Sequence, residues 1–343
     1  MSQYLVLSRI QIQNANCIAG FTWGFPAITH YLGFTHAMQR QLSATFDIAL
    51  GGCAIVSHDY QLRVYKPSPR ANFEFLQSKG SYTFKPKFDK GLMKTPSIIE
   101  EGKMNLTTSM VIEVSKELTT NEASIKQLKQ AVLAHCLKSR FAGGTILSIG
   151  RIDLLSASTN EQLNKLTKKL KRLTMPGFVL KDRSEYLKRH FQRLKEMDEN
   201  AGLLDGWLDF SAMKYQAQPK LKKNELEATA ETDADWELLA KPEKGWLVPI
   251  MTGYKAISQV YPAGEVANTR DAETPSRFVE AVHTIGEWKS MHRITNINEI
   301  IWRYQPDNDW YLCTQETTKK SSQQTSLSEE SETLDFQTAL SNL

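Results

Sequence analysis

Four cysteines in 343 residues, Cys17, Cys53, Cys136 and Cys313, lie far apart. They form no CxxC pair of the kind that holds zinc and lack the density of a secreted disulfide scaffold, so reduced, mostly buried thiols are expected. The seven histidines, His30, His36, His58, His135, His190, His283 and His292, supply no HExxH and no HxH. No metal site and no cofactor is therefore expected, while an RNA-cleaving histidine stays open at this point, a lone His on an apolar helix, such as His36 or His135, being more often packed than catalytic. A glycine-rich phosphate loop is missing too, because no Gly-Lys-Ser/Thr and no GxGxxG occurs. No apolar run reaches membrane length, and Arg9, Asn14 and Asn16 interrupt the first eighteen residues. The expectation is a cytoplasmic protein without a membrane partner.

Charge of one sign is also scarce. The formal net charge is +4, and the chain is 41% hydrophobic. Such a chain can bury a sizeable core, and its mild basicity suits an anionic partner without demanding one. The basic residues are concentrated, however, with eleven Lys or Arg against three acids from Glu161 to Lys195.

Periodicity organises the rest. Tyr4 to Gln13 ends by alternating Ile10 and Ile12 with Arg9, Gln11 and Gln13, which predicts a half-buried strand. Tyr31 to Leu42 predicts an amphipathic helix, and Ile48 to Ser57 a second strand bulged at Gly51-Gly52. Residues 66–96 hold four prolines and no clean period, as expected of an extended insertion. Asn105 to Val114 alternates again, and Glu122 to Lys138 places Ile125, Leu128, Val132, Leu133 and Leu137 at helical spacing. Two strand and helix pairs of this kind are consistent with a ferredoxin-like, RRM-type arrangement of the α+β class. The expected organisation is a core over residues 1–155 with an insertion near 60–104, then a basic helical segment and a C-terminal α+β region over 156–313. A loop over Gln216 to Asp235 and a solvated, serine-rich tail from Gln315 complete it, the tail being disordered over 314–343.

Three segments offer nucleic-acid chemistry. Ile12 to Ile18 ends a strand with the amides of Gln13, Asn14 and Asn16, and Phe21 to Pro26 adds Trp23 and Phe25 beside Gly24. Amides pair with base edges and aromatic rings stack on bases, unless these rings fill the core below the sheet. Arg140 and the pair Gly143-Gly144, followed by Thr145, could let backbone N–H groups approach a phosphate, or could cap a helix and open a strand. Lys165, Lys168, Lys169 and Arg172 share one helical face, which either contacts phosphates or is solvated. Farther on, Asn268, Arg270, Asp271, Glu273 and Arg277 crowd together. Ion pairing and loop ordering explain that cluster, with an RNA contact from Asn268 or Arg270 as the second reading.

Read together, Ile12 to Asn16, Thr22 to Pro26, Gly33 to Arg40, Ala142 to Ile146 and Pro176 to Phe178 resemble the second Csy protein family of type I-F CRISPR surveillance complexes. Gly245 to Ile250, Gly253-Tyr254, Gly264-Glu265, Asn268, Arg270-Asp271, Glu273 to Pro275, Arg277 to Glu280, Gly286 to Trp288 and His292-Arg293 continue the likeness in order, so that it covers about Leu5 to Arg303. The resemblance implies an RRM-like core of the repeat-associated mysterious protein (RAMP) superfamily, with insertions and a C-terminal extension. It further implies a non-catalytic RNA-binding subunit that grips the 5′ handle of the CRISPR RNA. Its partners would be the large subunit and a backbone subunit of the complex, and target DNA would be reached only through the assembly. The competing expectation is an RNA endonuclease of the same fold. On this reading the RNA-binding set is Arg9, Gln11, Gln13, Asn14, Asn16, Trp23, Gly24, His36, Arg40, Arg140, Gly143, Gly144, Thr145, Lys165, Lys168, Lys169, Arg172, Asn268, Arg270 and Arg277.

Overall fold

Ser2–Asn16 forms the first strand, β1, and its two halves differ in burial: Gln3 to Ser8 is continuously buried, whereas Arg9 to Gln13 alternates. An uninterrupted buried run means cover on both faces of a sheet, and alternation means cover on one. This strand belongs to a computed structural model that describes residues 2–79, 88–89, 92–93, 98–116, 118, 121–220, 228–229, 232–269 and 271–315. It is mixed α/β, with a large antiparallel sheet and five α-helices among the described residues.

In chain order the longer elements after β1 are α1 (Ile28–Leu42), β2 (Leu50–Leu62), β3 (Lys103–Val114), α2 (Glu122–Lys138), β4 (Gly144–Ala157), α3 (Asn160–Thr174) and β5 (Phe178–Asp182). Then come α4 (Ser184–Met197), α5 (Leu203–Ser211), β6 (Tyr215–Pro219), β7 (Ala234–Leu238), β8 (Leu247–Ala256), β9 (Val279–Ser290), β10 (Trp302–Asp307) and β11 (Trp310–Gln315). The described residues divide into two compact units, one within residues 1–181, 250–283 and 289–315, the other within residues 182–249 and 284–288.

In the first unit the strands run in the order β4-β1-β3-β2, each pair antiparallel. Register is set by the apolar positions, Ile12 standing opposite both Leu106 and Ile146. On one face lie α1 and α2. There Tyr31, fully buried, meets Thr108 at 3.4 Å, and its ring stands edge-on to Phe141 at 4.7 Å. On the other face α3 lays Leu166 and Leu170 over Tyr4, Val6, Val56, Val111 and Leu155. α3 covers only the end of the sheet that holds Tyr4 and Val6. β2 continues at its far edge into β5 through Val179↔Val56, and into β10 through Trp302↔Cys53.

The second unit packs Leu187 of α4 against Leu203 and Phe210 of α5, with Leu247 and Ile285. Arg183 is held by Glu287 at 2.5 Å. β6 and β7 pair as a hairpin, every residue of which is exposed. The ends of the expected loop over Gln216 to Asp235 are thus a β-ladder, formed because Tyr215, Ala217, Trp236 and Leu238 alternate with polar residues. Its middle, residues 221–227 and 230–231, lies outside the described residues.

Three other expectations need correction. Leu133 and Leu137 of α2 are exposed, and the buried stripe is Leu128, Val132 and Cys136, because the helix covers the sheet with a narrower face than its apolar content suggests. Gln315 is buried in β11, where its Nε2 donates to the carbonyls of Leu180 and Ile300. The remainder of the expected tail, 316–343, lies outside the described residues. The glycine pair does not cap α2, whose C-cap is Ser139.

Candidate nucleic-acid interface

Past the end of α3, the sheet face that buries Tyr4 and Val6 becomes open and polar. Directly opposed residues of antiparallel strands place their side chains on one face. Arg140 stands opposite Thr145, and Thr145 opposite Gln13. Asn105 stands opposite Gln61, and its amide fills the step between Ile12↔Leu106 and Ala15↔Met104. A row of polar side chains, Arg140, Thr145, Gln13, Asn105 and Gln61, therefore crosses the sheet. Beside it runs a second row, Ser148, Gln11, Thr107 and Asp59.

Hydrogen bonds hold the side chains of Asn105, Gln61 and Gln11, and Asn105 spends its oxygen and one N–H in doing so. Asn105 Nδ2 donates to Gln61 Oε1 at 3.2 Å, its Oδ1 accepts from the Asn14 N–H at 3.2 Å, and Ser148 Oγ donates to Gln11 Oε1 at 2.9 Å. Between the rows opens a cleft of about 220 Å³, lined by Gln11, Ile12, Gln13, Asp59, Tyr60, Gln61, Asn105, Leu106, Thr107 and Leu147. Leu147 is more than half exposed there, whereas Tyr60, directly opposite Leu106, turns its side chain to the other face of the sheet. Amides beside an exposed aliphatic side chain can read base edges and support one face of a base.

Bulges divide the open half of the sheet from the covered half. β1 carries an extra residue between Leu7 and Ile10, with Arg9 at φ +53°, and β2 carries His58 as an extra residue. Both are tied to Ser109. The Arg9 N–H donates to Ser109 Oγ at 2.8 Å, so the Ser109 hydroxyl donates to His58 Nε2 at 2.6 Å, and His58 Nδ1–H donates to the Pro176 carbonyl at 2.7 Å. That chain of donors requires neutral imidazole. Burial pushes the His58 pKa down, the nearby Arg9 charge adds to the effect, and the Pro176 bond opposes it. Arg9 Nη2 also donates to the Met175 carbonyl at 3.1 Å, so the end of α3 is fastened where the open face begins.

The structure brings Arg9, Gln11, Gln13, Asn14, Arg140 and Thr145 of the expected set to this one region. Beside it Gly144 opens β4 opposite Phe141, and Ala142 and Gly143, both at positive φ, form a two-residue hairpin turn. That is the backbone of a type I′ turn. A Cβ at Gly144 would lie 2.6 Å from the Gln13 carbonyl, so the absence of a side chain there lets the hairpin approach β1. Asn16 spends its amide locally, accepting from the Ile18 N–H and donating to its carbonyl. Trp23 is 42% exposed and rests against Phe75 at 5.0 Å, neither a core residue nor a bare platform. Gly24, at φ +128°, donates its N–H to the Cys17 carbonyl.

Other members lie elsewhere. His36 and Arg40 are exposed on the solvent side of α1, which covers the opposite face of the sheet. Lys165 and Lys169 line a cleft beside β4, with Lys165 paired to Glu161 at 2.7 Å, while Lys168 and Arg172 are exposed. Asn268 is exposed at φ +60°, and Arg270 lies outside the described residues. Arg277 is held by the Ser258 carbonyl at 3.0 Å and by Asp309 at 2.9 Å.

Sequence reading missed Asp59, Gln61, Asn105 and Thr107. Their signal was polar alternation at the far ends of two strands, which becomes a site only when those ends lie side by side. The cysteines are free and buried, and burial pushes Cys17 up to about 11 and Cys53, Cys136 and Cys313 up to about 12, so none supplies a thiolate at neutral pH. Among the described residues no group of His, Cys, Asp and Glu could hold a metal ion, and no helix is long and apolar enough to cross a membrane.

Residues 5–313 match the family model of CRISPR-associated protein Cas_Csy2. Among curated proteins, the chain is 34% identical over 318 residues to CRISPR-associated protein Csy2 of Pseudomonas aeruginosa (strain UCBPP-PA14), a match covering 90% of this chain and 93% of that relative.

Proposed function

The chain belongs to the Cas_Csy2 family of CRISPR-associated proteins, and from that membership we propose that it is the subunit of a type I-F surveillance complex that holds the 5′ handle of the CRISPR RNA. In this reading it pairs with the large subunit, abuts a backbone subunit, reaches target DNA only through the assembly and catalyses nothing. The strand order β4-β1-β3-β2 with α1 and α2 on one face supports an RRM-like core of the RAMP superfamily. The observation that carries the reading is the double row of oriented amides and hydroxyls on the open sheet face, where splayed bases find paired donors and acceptors.

An endonuclease of the same fold would need a proton-transferring group beside those rows. His58 stands at their border, but both ring nitrogens are engaged and its pKa is lowered. Incubating purified protein with repeat RNA tests both readings: the RNA should be bound and remain whole. Gln13→Ala combined with Asn105→Ala should then lower discrimination between native and scrambled handles by about 1–3 kcal/mol, on the scale of one bidentate base contact. Cleavage of the RNA would establish the enzyme reading, and full discrimination in the double variant would move base reading away from the open face.

A further inference from the structure

Next to the base-reading cleft lies a second one of about 220 Å³, lined by Asn14, Arg63, Leu76, Gln77, Glu101 and Lys103. Its walls are where the insertion leaves and rejoins the sheet. The Arg63 N–H donates to the Lys103 carbonyl at 2.9 Å, and its own carbonyl accepts from the Leu76 N–H at 3.0 Å, so the Arg63 backbone is fixed on both sides. Its side chain is another matter. Nε of Arg63 is buried without a hydrogen-bond partner, and the guanidinium forms no ion pair among the described residues. A guanidinium stays charged at any physiological pH, so an anion entering the cleft meets a charge that no carboxylate among the described residues balances.

We infer that this cleft is a phosphodiester subsite: Arg63 holds one backbone phosphate of the bound RNA at the point where the chain leaves the amide rows. The inference rests on the RNA-binding reading above. Charge identifies the ligand. Among the described lining residues, Arg63 and Lys103 bring two positive charges and Glu101, 2.8 Å from Lys103, one negative, an excess of one positive charge. A phosphodiester carries one negative charge, whereas inorganic phosphate at neutral pH carries more. The amides of Asn14 and Gln77 flank the cations and can donate to phosphate oxygens or to a ribose hydroxyl. Position identifies it again. The Asn14 N–H is bonded to Asn105 Oδ1, and Asn105 belongs to the base-reading row, so a nucleotide seated on that row has its neighbouring phosphate directed at Arg63.

The test uses the full chain and handle RNA transcribed from the CRISPR repeat, with binding measured across a salt series. Arg63→Gln should weaken native and scrambled handles alike and reduce the slope of log K against log salt by about 0.7, the value for one contact on a single strand. Arg63→Lys, which keeps the charge and loses the fork, should restore the slope but not the whole affinity; it also serves if the Gln variant does not fold. Methylphosphonate placed at each linkage in turn should weaken wild-type binding most at one position, and that position should become neutral in Arg63→Gln. An unchanged salt slope with RNA still bound would overturn the subsite and leave the RNA-binding reading standing. Failure of the wild type to bind handle RNA would overturn both. Inorganic phosphate alone should give no saturable binding by calorimetry. If it saturates, and Arg63→Gln abolishes that while RNA binding keeps its slope, the cleft takes a free anion and the RNA assignment is wrong.

Discussion

From Gln3 to Ser8, β1 is buried on both faces, and from Arg9 to Asn16 it is buried on one, although the whole strand pairs with the same neighbours, β3 and β4. The difference comes from α3, whose Leu166 and Leu170 cover Tyr4 and Val6 but stop at Thr174, short of Gln11 and Gln13. Where the helix lies, the sheet is core, each large apolar side chain contributing about 1.5–3 kcal/mol by leaving water. Beyond it, the same backbone ladder holds amides instead, and the stability already secured by the covered half lets the open half carry polar side chains that pack against nothing. The bulges at Arg9 and His58 mark the change, as bulges commonly do beside functional surfaces.

The comparison breaks most visibly if the two halves respond alike to truncation. Leu170→Ala should cost about 2–5 kcal/mol in urea denaturation, because it leaves a cavity between α3 and the sheet. Gln13→Ala should change stability by no more than about 0.5 kcal/mol, as for an exposed polar side chain, while impairing RNA binding. A destabilisation by Gln13→Ala as large as that of Leu170→Ala would mean that the open half is structural and not a binding surface.

The divider itself should show an intermediate effect. Ser109→Ala removes the acceptor of the Arg9 N–H and the donor to His58 Nε2, at a cost of about 1–3 kcal/mol for the groups left unpaired. His58 adds a dependence on pH. Its folded pKa is lowered, so at pH above the ordinary value of 6.5 the ring is neutral both folded and unfolded, and its contribution is constant. As the pH falls below 6.5 the unfolded chain takes up a proton that the folded ring resists, and stability declines until the folded pKa is passed. His30, His135 and His283 are lowered by burial as well, so His58→Gln should remove part of the decline and not all of it. A melting-temperature series from neutral to mildly acid pH reads this, and an identical series in the variant would show that His58 is not held as the geometry requires.

How far the sequence disclosed this arrangement depended on the range of the interactions involved. The bounds of α2 followed from spacing alone, Glu122 to Lys138, because helical periodicity is local and Asn121 caps its first turn by accepting from the Ser124 N–H. The alternation of Ile10 and Ile12 with Gln11 and Gln13 likewise marked one buried and one open face. Spacing could not show that Asn105, ninety-one residues from Asn14, orients that segment, or that Gln61 completes the row, since both depend on strand register. Gly143 and Gly144 were ambiguous for the same reason: a glycine pair after a helix fits a cap equally well, and only the closeness of Gln13 shows why the hairpin needs Gly144. Asn16 was misleading in the opposite sense, an amide in the right segment that its own turn consumes.

The smallest expected effect sharpens the comparison from the reverse side of the sheet. His36 and Arg40 sit in the segment Gly33 to Arg40 that resembles the Csy family, and by residue type alone they suit RNA as well as Gln13 or Arg140 does. The structure sets them on α1, whose buried side, Tyr31, Phe34, Thr35 and Met38, faces the sheet layer and turns both of them to solvent. The sheet itself separates them from the amide rows, so a nucleotide read by Gln13 and Asn105 is out of hydrogen-bond reach of either. What remains is the long-range charge of Arg40, and at physiological salt such interactions are largely screened beyond about 8 Å. His36→Ala with Arg40→Ala should therefore leave handle affinity and its salt slope unchanged in the isolated chain, whereas Arg140→Ala, on the open face, should lower both. If the α1 pair weakens binding as much as Arg140→Ala, RNA wraps around the helical side and the open sheet face is only part of its path. If the pair matters only once the complex is assembled, α1 faces another subunit or a distant stretch of the guide, and the division between an open reading face and a closed packing face still holds for the subunit itself.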